Sequence, residues 1–271
     1  MKFSVYRESR VGGRRSNQDR LAYRYSRKAL LLLVADGMGG YAHGDVAAQV
    51  AVDHLVDAFE RHARPAVDEP FGFLADGFNG AHAAIGRVAG RRGFGEAPRT
   101  TLVACLIQDG IAHWAHAGDS RLYLLREGRI QDRTQDHSRV QLLLQQGLID
   151  DDQAKRHPER NRIFSCLGGA NAPQIEFSRK TPLYDQDVIA LCSDGVWGPL
   201  GDEGMAQGLA KGRPAERVPA LLDEAERIAG PGGDNLSLLA VRWEGGLPCE
   251  APSDDDLLRA IAAIRGIDGT G

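Results

Sequence analysis

Apolar residues along this chain of 271 residues recur with two different periods. Short runs rich in leucine, β-branched and aromatic residues, bounded by turn residues, are typical of strands. These runs cover residues 3–6, 21–25, 30–35, 101–107, 111–117, 122–126, 175–178, 188–192 and 236–243. A period close to 3.6 residues predicts helices over residues 45–62, 71–91, 138–146, 203–210 and 214–228. In the first helix, the predicted apolar stripe consists of Val46, Val50, Val52, Leu55, Val56 and Phe59.

The order of these elements predicts the fold class. Between residues 111 and 130, strands follow one another through tight turns, which is typical of antiparallel hairpins. The two longest helices form a consecutive pair. This grouping predicts an α+β fold in which sheets are sandwiched between helical layers. After residue 243, an acidic run at 254–256 precedes apolar positions and predicts a short amphipathic helix, which either docks on the domain or binds a partner.

The composition narrows the class of protein. Apolar residues make up 42% and charged residues 26%, as in soluble globular proteins, which excludes a disordered chain. A net charge of −4 gives no support for nucleic-acid binding. The longest apolar run, residues 29–35, is far shorter than the roughly 20 residues that span a bilayer, and the N-terminus lacks an apolar signal segment. We therefore expect a soluble protein without a membrane partner.

The cysteines indicate the redox compartment. The four are Cys105, Cys166, Cys192 and Cys249, and no two form a CxxC pair, so neither a disulfide scaffold nor a structural zinc site is predicted. Three of them lie in apolar surroundings, which is typical of small buried side chains in a reducing compartment. The expected location is the cytoplasm.

Aspartates at the ends of strands are the most informative pattern. Asp36, Asp119 and Asp194 each end an apolar run, and Asp234 immediately precedes one. A single aspartate beside glycine is usually only a turn. Four at strand termini can converge on one edge of a sandwich, where they would repel one another unless a cation neutralised them. Mg²⁺ and Mn²⁺ prefer such oxygen ligands, so the pattern predicts a carboxylate-held divalent metal site.

A pair of metal ions held in this way suits phosphoryl transfer, because it lowers the pKa of a bound water and holds the phosphoryl oxygens. Arg14 is a candidate for gripping a phosphate, since its guanidinium fork matches phosphate geometry. The alternative for Arg14 is a solvated position in a Gly-Gly-Arg-Arg loop. His113 and His116 lie three apart on a predicted strand, so they point to opposite faces and are interpreted as core or surface residues rather than zinc ligands.

Eight short motifs in order resemble the metal-dependent protein phosphatase 2C family, in its compact bacterial branch. They are RRSNQD (14–19), DGMGG (36–40), TTL (100–102), HAGDSRLY (116–123), TQDHS (134–138), NRIFSCLG (161–168), LCSDGVW (191–197) and GGDNLSLL (232–239). The resemblance covers residues 1–243 as a catalytic domain, with residues 244–271 as a C-terminal tail. It implies a four-layer α-β-β-α sandwich, with two antiparallel sheets flanked by helix pairs and a flap at about residues 138–165.

The same resemblance implies a chemistry. The reaction would be hydrolysis of phosphoserine and phosphothreonine by a metal-activated water, without a covalent phosphoenzyme. The cofactors would be two tightly bound Mn²⁺ or Mg²⁺ ions and a third, weaker ion. The partners would be phosphorylated proteins that a Ser/Thr kinase produces.

The resemblance also assigns roles residue by residue. Asp36 resembles the carboxylate that bridges both metals, and Gly37 would offer its backbone carbonyl to the second metal. Asp194 and Asp234 resemble the remaining carboxylates of the first metal. Asp19 resembles the acidic residue that supports the second metal, and Asp119 the ligand of the third. Arg14 resembles the arginine that binds the phosphate.

The chain departs from the family pattern at Gln18 and at the DGMGG motif. Gln18 stands where relatives usually carry glutamate, which removes one negative charge near the second metal. Tyr41 follows the DGMGG motif where many bacterial relatives have histidine, and Met38 occupies the position of the histidine that animal members use as a general acid. His43 is the nearest histidine in sequence. The group that protonates the leaving alkoxide is therefore left open, and a metal-bound water could serve.

Three other functions compete with this one. Residues 37–42 match GxGxxA between a strand and a helix, as in a dinucleotide-binding turn, but Asp36 would face the pyrophosphate with like charge. Ser193 lacks a GxSxG context, which disfavours a serine hydrolase. A non-catalytic phosphoprotein-binding relative would be expected to lose metal-binding aspartates, and this chain retains all four at its strand ends.

Overall fold

The computed structural model describes residues 1–38 and 43–245. The strands are β1 (Phe3–Arg10), β2 (Arg20–Tyr25), β3 (Ala29–Ala35), β4 (Arg99–Thr100), β5 (Leu102–Gln108), β6 (Ile111–Ala117), β7 (Arg121–Arg126), β8 (Arg129–Arg133), β9 (Leu167–Gly168), β10 (Glu176–Phe177), β11 (Thr181–Pro182), β12 (Val188–Cys192) and β13 (Leu236–Trp243). The helices are α1 (Gly44–His62), α2 (Pro70–Arg92), α3 (Arg139–Gln145), α4 (Asp151–Arg156), α5 (Asp194–Leu209) and α6 (Pro214–Ala229).

Two antiparallel sheets form the centre of the fold. The first sheet has the order β1-β13-β12-β7-β8, and the second has the order β10-β6-β5-β3-β2. Helices α1 and α2 pack together on the outer face of the second sheet, and α5 and α6 on that of the first. The predicted α+β fold, a four-layer α-β-β-α sandwich, is confirmed. The strand pairings of β3 are antiparallel, so β3 does not belong to the parallel βαβ unit that a dinucleotide-binding turn requires.

The central strands are continuous apolar runs because both of their faces are buried. Along β3, Leu31, Leu33 and Ala35 face α1 and α2, whereas Leu30, Leu32 and Val34 face the other sheet. Strand β12 alternates in the same way between the sheet interface and α5 and α6. Three apolar clusters therefore fill the three spaces between the four layers, and this packing fixes where each strand ends.

Helix α1 packs on the sheet through smaller residues than the pattern predicts. Its fully buried positions include Ala47, Ala48 and Ala51, whereas Val46 and Val50 of the predicted stripe are only half-buried. The predicted positions Val52, Leu55, Val56 and Phe59 are buried. Alanines allow the helix to approach the sheet closely, and a pattern that weights large apolar residues misses them.

Helix α5 starts earlier than the predicted residue 203, so that predicted start is wrong. It begins at Asp194, directly after β12, and contains a break at Gly201, where φ is +65°. Glycine and proline at positions 195, 198, 199 and 201 disfavour a helix by propensity, so the first half was missed. Packing of Val196 and Met205 in the outer apolar cluster stabilises both halves. The predictions also missed β8, α4 and the short pair β4–β9.

The sequence also predicts buried cysteines and a helix in the C-terminal tail. Cys105 and Cys192 are fully buried, as predicted, whereas Cys166 is half-buried. Cys249 and the predicted tail helix lie outside the described residues. In the part of the chain that the structure describes, no helix combines the length and the apolar character needed to cross a bilayer.

Candidate metal centre

Five predicted aspartates gather at one end of the sandwich. In the second sheet, Asp36 follows β3 and Asp19 precedes β2, whose first residue pairs with the last residue of β3. In the first sheet, Asp194 follows β12 and Asp234 lies just before β13, which pairs with β12. Asp119 lies in the turn that crosses from β6 to β7. The antiparallel registers thus bring the carboxylates from both sheets to the same edge.

The raised pKa values of these carboxyl groups indicate that they lie close to one another. Burial is the largest cause that raises the pKa of Asp36 well above its usual value, and the charges of the other four aspartates add to it. Burial, followed by Asp234 and Asp19, raises the pKa of Asp194 to about 7. Burial raises the pKa of Asp19 to about 6, opposed by a hydrogen bond from Ser193. The edge therefore concentrates negative charge that favours binding of a cation.

The donor set fits a hard divalent cation. Oδ1 of Asp19 and Oδ1 of Asp194 are buried, and neither accepts a hydrogen bond from any group among residues 1–38 and 43–245. Buried carboxylate oxygens without a donor are costly. Asp36, Asp119, Asp194 and Asp234 are half-buried, so an ion from solvent can reach them. Oxygen-only ligands of this kind suit Mg²⁺ or Mn²⁺.

The backbone of Asp36 is fixed by two threonines, of which Thr100 ends β4 and Thr101 lies between β4 and β5. Its carbonyl oxygen accepts hydrogen bonds from Thr100 Oγ1 and from the Thr101 amide, both at 2.8 Å. Its amide donates to Thr101 Oγ1 at 3.1 Å. Both threonines are buried. Asp36 therefore leaves β3 in a single backbone orientation, with its side chain directed into the carboxylate cluster.

Gly37 is the next residue, and its backbone touches the start of α1. A Cβ atom built on Gly37 would lie 2.4 Å from the carbonyl of Gly44 and 2.8 Å from the carbonyl of Gln18. Only glycine allows this approach, which brings the segment around Asp19 against the end of β3. Residues 39–42 of the same loop, including Tyr41, lie outside the described residues.

Asp194 and Asp234 are brought together by a similar close approach. A Cβ atom on Gly195 would lie 2.1 Å from the carbonyl of Asn235 and 3.3 Å from Cβ of Asp234. The missing side chain lets the first turn of α5 pack directly on the segment that enters β13. This contact explains why a glycine follows the aspartate at the end of β12.

Ser193 orients the buried carboxylate of Asp19. Its hydroxyl donates to Asp19 Oδ2 at 2.7 Å and accepts from the Ser237 amide at 3.0 Å. The side chain is fully buried. This geometry agrees with the exclusion of Ser193 as a hydrolase nucleophile and gives it a supporting role.

Arg14 lies beside the predicted metal ligands. Its Nε and Nη2 donate to the two carboxylate oxygens of Asp234 at 2.9 and 2.6 Å, while more than half of its side chain stays exposed. Arg14 is therefore not an independent solvated residue. It occupies the same carboxylate oxygens that the sequence assigns to the first metal.

Asn235 was missed as a functional residue. Its Oδ1 accepts from the Gln18 amide at 2.8 Å, and its Nδ2 donates to the carbonyls of Val11 and Ser16 at 2.8 and 3.0 Å. One buried side chain thus shapes the loop that carries Arg14. The signal in the sequence is the asparagine directly after Asp234, in a motif where only the aspartate was interpreted.

The histidines behave mostly as predicted, with one addition. His113 packs edge-on against Phe71, and His116 lies on the opposite face of β6, where its ring stacks on His137 at 4.5 Å between centroids. Ligand atoms of His116, His137 and Glu176 lie within 4.8 Å of one another. Nδ1 of His137 accepts from the Gly118 amide at 3.3 Å, and Nε2 of His116 bonds the Gln135 carbonyl at 2.7 Å. With Nδ1 unprotonated, Nε2 of neutral His137 carries the proton, which disfavours a metal at that atom.

In the described part of the region around the DGMGG motif, the structure gives contacts for Met38 and for His43. The amide of Met38 donates to the Arg99 carbonyl at 3.0 Å. The ring of His43 stacks on Phe94 with 3.8 Å between centroids, at the start of α1. The described contacts of His43 thus join it to the segment after α2, and they give it no role in proton transfer.

Comparisons with known proteins agree with this geometry. A sequence profile of the family described as Protein phosphatase 2C matches residues 8–218. The chain is 35% identical over 218 residues to the serine/threonine protein phosphatase PstP of Mycobacterium tuberculosis, and the aligned region covers 78% of this chain and 40% of PstP. It is 32% identical over 216 residues to the serine/threonine phosphatase stp of Listeria innocua, which covers 79% of this chain and 84% of that protein.

A solved structure adds the metal. The catalytic domain of serine/threonine protein phosphatase PstP in complex with 2 manganese ions superposes with a TM-score of 0.70 and 30% identity, covering 90% of this chain and 99% of that domain. The chain spans less than half the length of the curated PstP protein that it matches.

Proposed function

Because the chain belongs to the protein phosphatase 2C family, we propose that it is a metal-dependent protein phosphatase that hydrolyses phosphoserine and phosphothreonine without a covalent intermediate. The observation that carries the proposal is the convergence of five aspartates from both sheets, two of them with buried oxygens that accept no hydrogen bond from the described residues. PstP has been crystallised with two manganese ions, which supports the same type of cofactor here.

The proposed ligands follow the sequence assignment. Asp36 would bridge two ions, and Asp194 and Asp234 would complete the first. The Gly37 carbonyl and Asp19 would serve the second, and Asp119 a third, weaker ion. Bound metal of this kind supplies an activated water and neutralises phosphoryl oxygens. Mn²⁺ and Mg²⁺ are both compatible with the oxygen ligands.

The residues of the chain itself position these groups. Thr100 and Thr101 fix the backbone of Asp36, and Ser193 orients Asp19 through its 2.7 Å hydrogen bond. The guanidinium of Arg14 can bind either Asp234 or a phosphate, but not both at once. While it donates hydrogen bonds to Asp234, it cannot bind a phosphate, and the Asp234 carboxylate oxygens are not free to bind a metal ion. Loading of Asp234 with a cation would therefore release Arg14 toward the substrate phosphate.

The limits and partners of the enzyme belong to the same proposal. We assign residues 1–243 to the catalytic domain and residues at about 138–165 to its flap. The substrates would be proteins phosphorylated by a Ser/Thr kinase in the cytoplasm.

The experiment that tests the proposal is metal-dependent hydrolysis by the purified chain. We expect hydrolysis of p-nitrophenyl phosphate and of a phosphothreonine peptide with Mn²⁺, and loss of both activities on chelation. Asp36→Asn should nearly abolish turnover, whereas Asp57→Asn, at an exposed position of α1, is the matched control and should not. If the unaltered chain binds phosphopeptide but never hydrolyses it, the non-catalytic phosphoprotein-binding function replaces this one.

A further inference from the structure

The turn that carries Asp119 is tied to helix α5 by a tryptophan. The indole Nε1 of Trp197 donates to the backbone carbonyl of Asp119 at 2.9 Å. Trp197 lies in the first turn of α5, three residues after Asp194. One side chain thus joins the segment of a proposed first-metal ligand to the segment of the proposed third-metal ligand. Nothing in the eight sequence motifs assigned it a role.

The tryptophan is itself held in place from its other side. The guanidinium carbon of Arg121 lies 3.4 Å from the centre of the Trp197 ring. Arg121 donates from Nε and Nη2 to both carboxylate oxygens of Asp136 at 2.8 Å. Its Nη1 donates to the hydroxyl of Tyr123 at 3.0 Å and to Asp202 at 3.1 Å. With its planar fork fixed in this way, Arg121 leaves the ring little freedom to tilt.

This support opposes a force that acts on the turn. After burial, the charge of Asp194 is the next cause that raises the pKa of Asp119, so these two carboxylates repel each other. Repulsion would move the Asp119 turn away from Asp194 unless something held it. The hydrogen bond from Trp197 attaches the turn to the very helix that begins at Asp194. The Asp119 carboxylate therefore stays at the edge where a shared cation could bind.

We propose that Trp197, clamped by Arg121, is a positioning residue that sets the affinity of the weakest metal site by fixing Asp119 relative to Asp194. This inference rests on the proposed function, because it takes Asp119 to be a metal ligand. Trp197 touches neither substrate nor metal in this role. It acts through the backbone of Asp119.

The test compares two tryptophan-to-phenylalanine variants of the full chain. Trp197→Phe keeps an aromatic ring for Arg121 but loses the N–H donor. Trp243→Phe is the matched control, because Trp243 is buried, whereas Trp197 is half-buried, and its Nε1 finds no hydrogen-bond partner among the described residues. Arg121→Lys is a second variant, since an ammonium keeps the charge but loses the planar stack and the fork.

Calorimetric titration with Mn²⁺ and the Mn²⁺ dependence of turnover are the two readouts. For Trp197→Phe we expect the tight sites to be unchanged, the weakest site to bind about fivefold less tightly, and turnover to recover at saturating Mn²⁺. Arg121→Lys should shift the same site in the same direction. Trp243→Phe should titrate like the unaltered chain.

Three outcomes would overturn the inference. They are a Trp197→Phe titration that superimposes on that of the unaltered chain, an equal loss at the tight sites, or binding of only two ions by the unaltered chain. Failure of the proposed function looks different, because the unaltered chain would then show no Mn²⁺-dependent hydrolysis. The calorimetric comparison would still decide the role of Trp197 in that case.

Discussion

Neutralising Asp36 should separate stability from metal binding. Asp36 faces the charges of Asp19, Asp194, Asp119 and Asp234. In a chelator, Asp36→Asn removes one of these closely spaced like charges, so we expect the variant to be more stable than the unaltered chain. With Mn²⁺ the order should reverse, because the variant has lost the carboxylate proposed to bridge two ions.

The magnitude follows from the raised pKa values. Burial and neighbouring carboxylates raise the pKa of Asp194 from 3.8 to about 7. At about 1.4 kcal/mol per pKa unit, ionising that one carboxyl above pH 7 costs the folded state about 4 kcal/mol. The pKa of Asp36 is displaced in the same direction by the same causes. Because the neighbouring groups share and relax part of this cost, we expect Asp36→Asn to gain about 2 kcal/mol at pH 8.

The sign of the effect predicts its pH dependence. An acid whose pKa is raised on folding stabilises the fold while it is protonated, and this stability is lost as pH rises from its unfolded toward its folded pKa. The advantage of Asp36→Asn should therefore be largest at pH 8 and approach zero near pH 4. Denaturant unfolding in a chelator at both pH values measures it, and thermal unfolding should show a shift of about 4–8 °C at pH 8.

Asp187→Asn provides the contrasting control. Asp187 is a buried aspartate that accepts two 2.8 Å hydrogen bonds from the guanidinium of Arg126. Its neutralisation removes the negative charge that faces this guanidinium and should destabilise the chain in the chelator at pH 8. The reasoning is refuted if Asp36→Asn destabilises the chelated protein as Asp187→Asn does, or if Mn²⁺ stabilises the variant as strongly as the unaltered chain.

Arg14→Ala should lower kcat/KM, mainly by raising KM, by a factor that corresponds to about 1.5–3 kcal/mol. It should also tighten Mn²⁺ binding, because Asp234 is no longer bound by Arg14, whereas Arg15→Ala should change neither property. Steady-state kinetics measures the first effect and calorimetry the second, and equal behaviour of the two variants would contradict the assignment. Gln18→Glu should lower the Mn²⁺ concentration that gives half-maximal activity, because a carboxylate attracts the cation more strongly than an amide; an unchanged titration would place the position outside the coordination shell. Asp119→Ala should leave the tight ions bound but raise the Mn²⁺ demand of turnover, and loss of a high-affinity site in calorimetry would make it a primary ligand instead. Mn²⁺ affinity should fall as pH drops from 8 to 5, because Asp194 takes up a proton near pH 7 that the cation must displace, and a pH-independent calorimetric affinity would contradict the assignment.

The regular strands could be predicted from the sequence because a strand that is buried on both faces consists of a continuous run of apolar residues. Strands β6, β12 and β13 have the predicted bounds for this reason. Strand β8 was missed, since at the edge of its sheet it has no such run. The first half of α5 was missed because glycine and proline lower its propensity, while its packing partners come from distant elements.

Some residues of the site could also be predicted from the sequence, and others could not. The aspartates at strand ends could be found because a charged residue after a buried run is conspicuous. The supporting groups could not, since each acts through a partner far away in the sequence: Ser193 on Asp19, Asn235 on the Arg14 loop, and Trp197 on Asp119. Sequence spacing does not encode such contacts. The bond between Arg14 and Asp234 was also unforeseen, because it joins the two ends of the domain.

The origin of the carboxylates in two different sheets has a consequence for ion choice. A cation shared by Asp36 and Asp194 would lie across the seam between the layers, so its ligand spacing depends on how one sheet sits over the other. That offset is set by apolar packing in the layer between the sheets, to which Leu32 of β3 and Leu191 of β12 belong. Mg²⁺ demands a nearly ideal octahedron. A core substitution that preserves the fold can therefore change which metal ion the enzyme prefers. In this way the hydrophobic core contributes to ion selectivity.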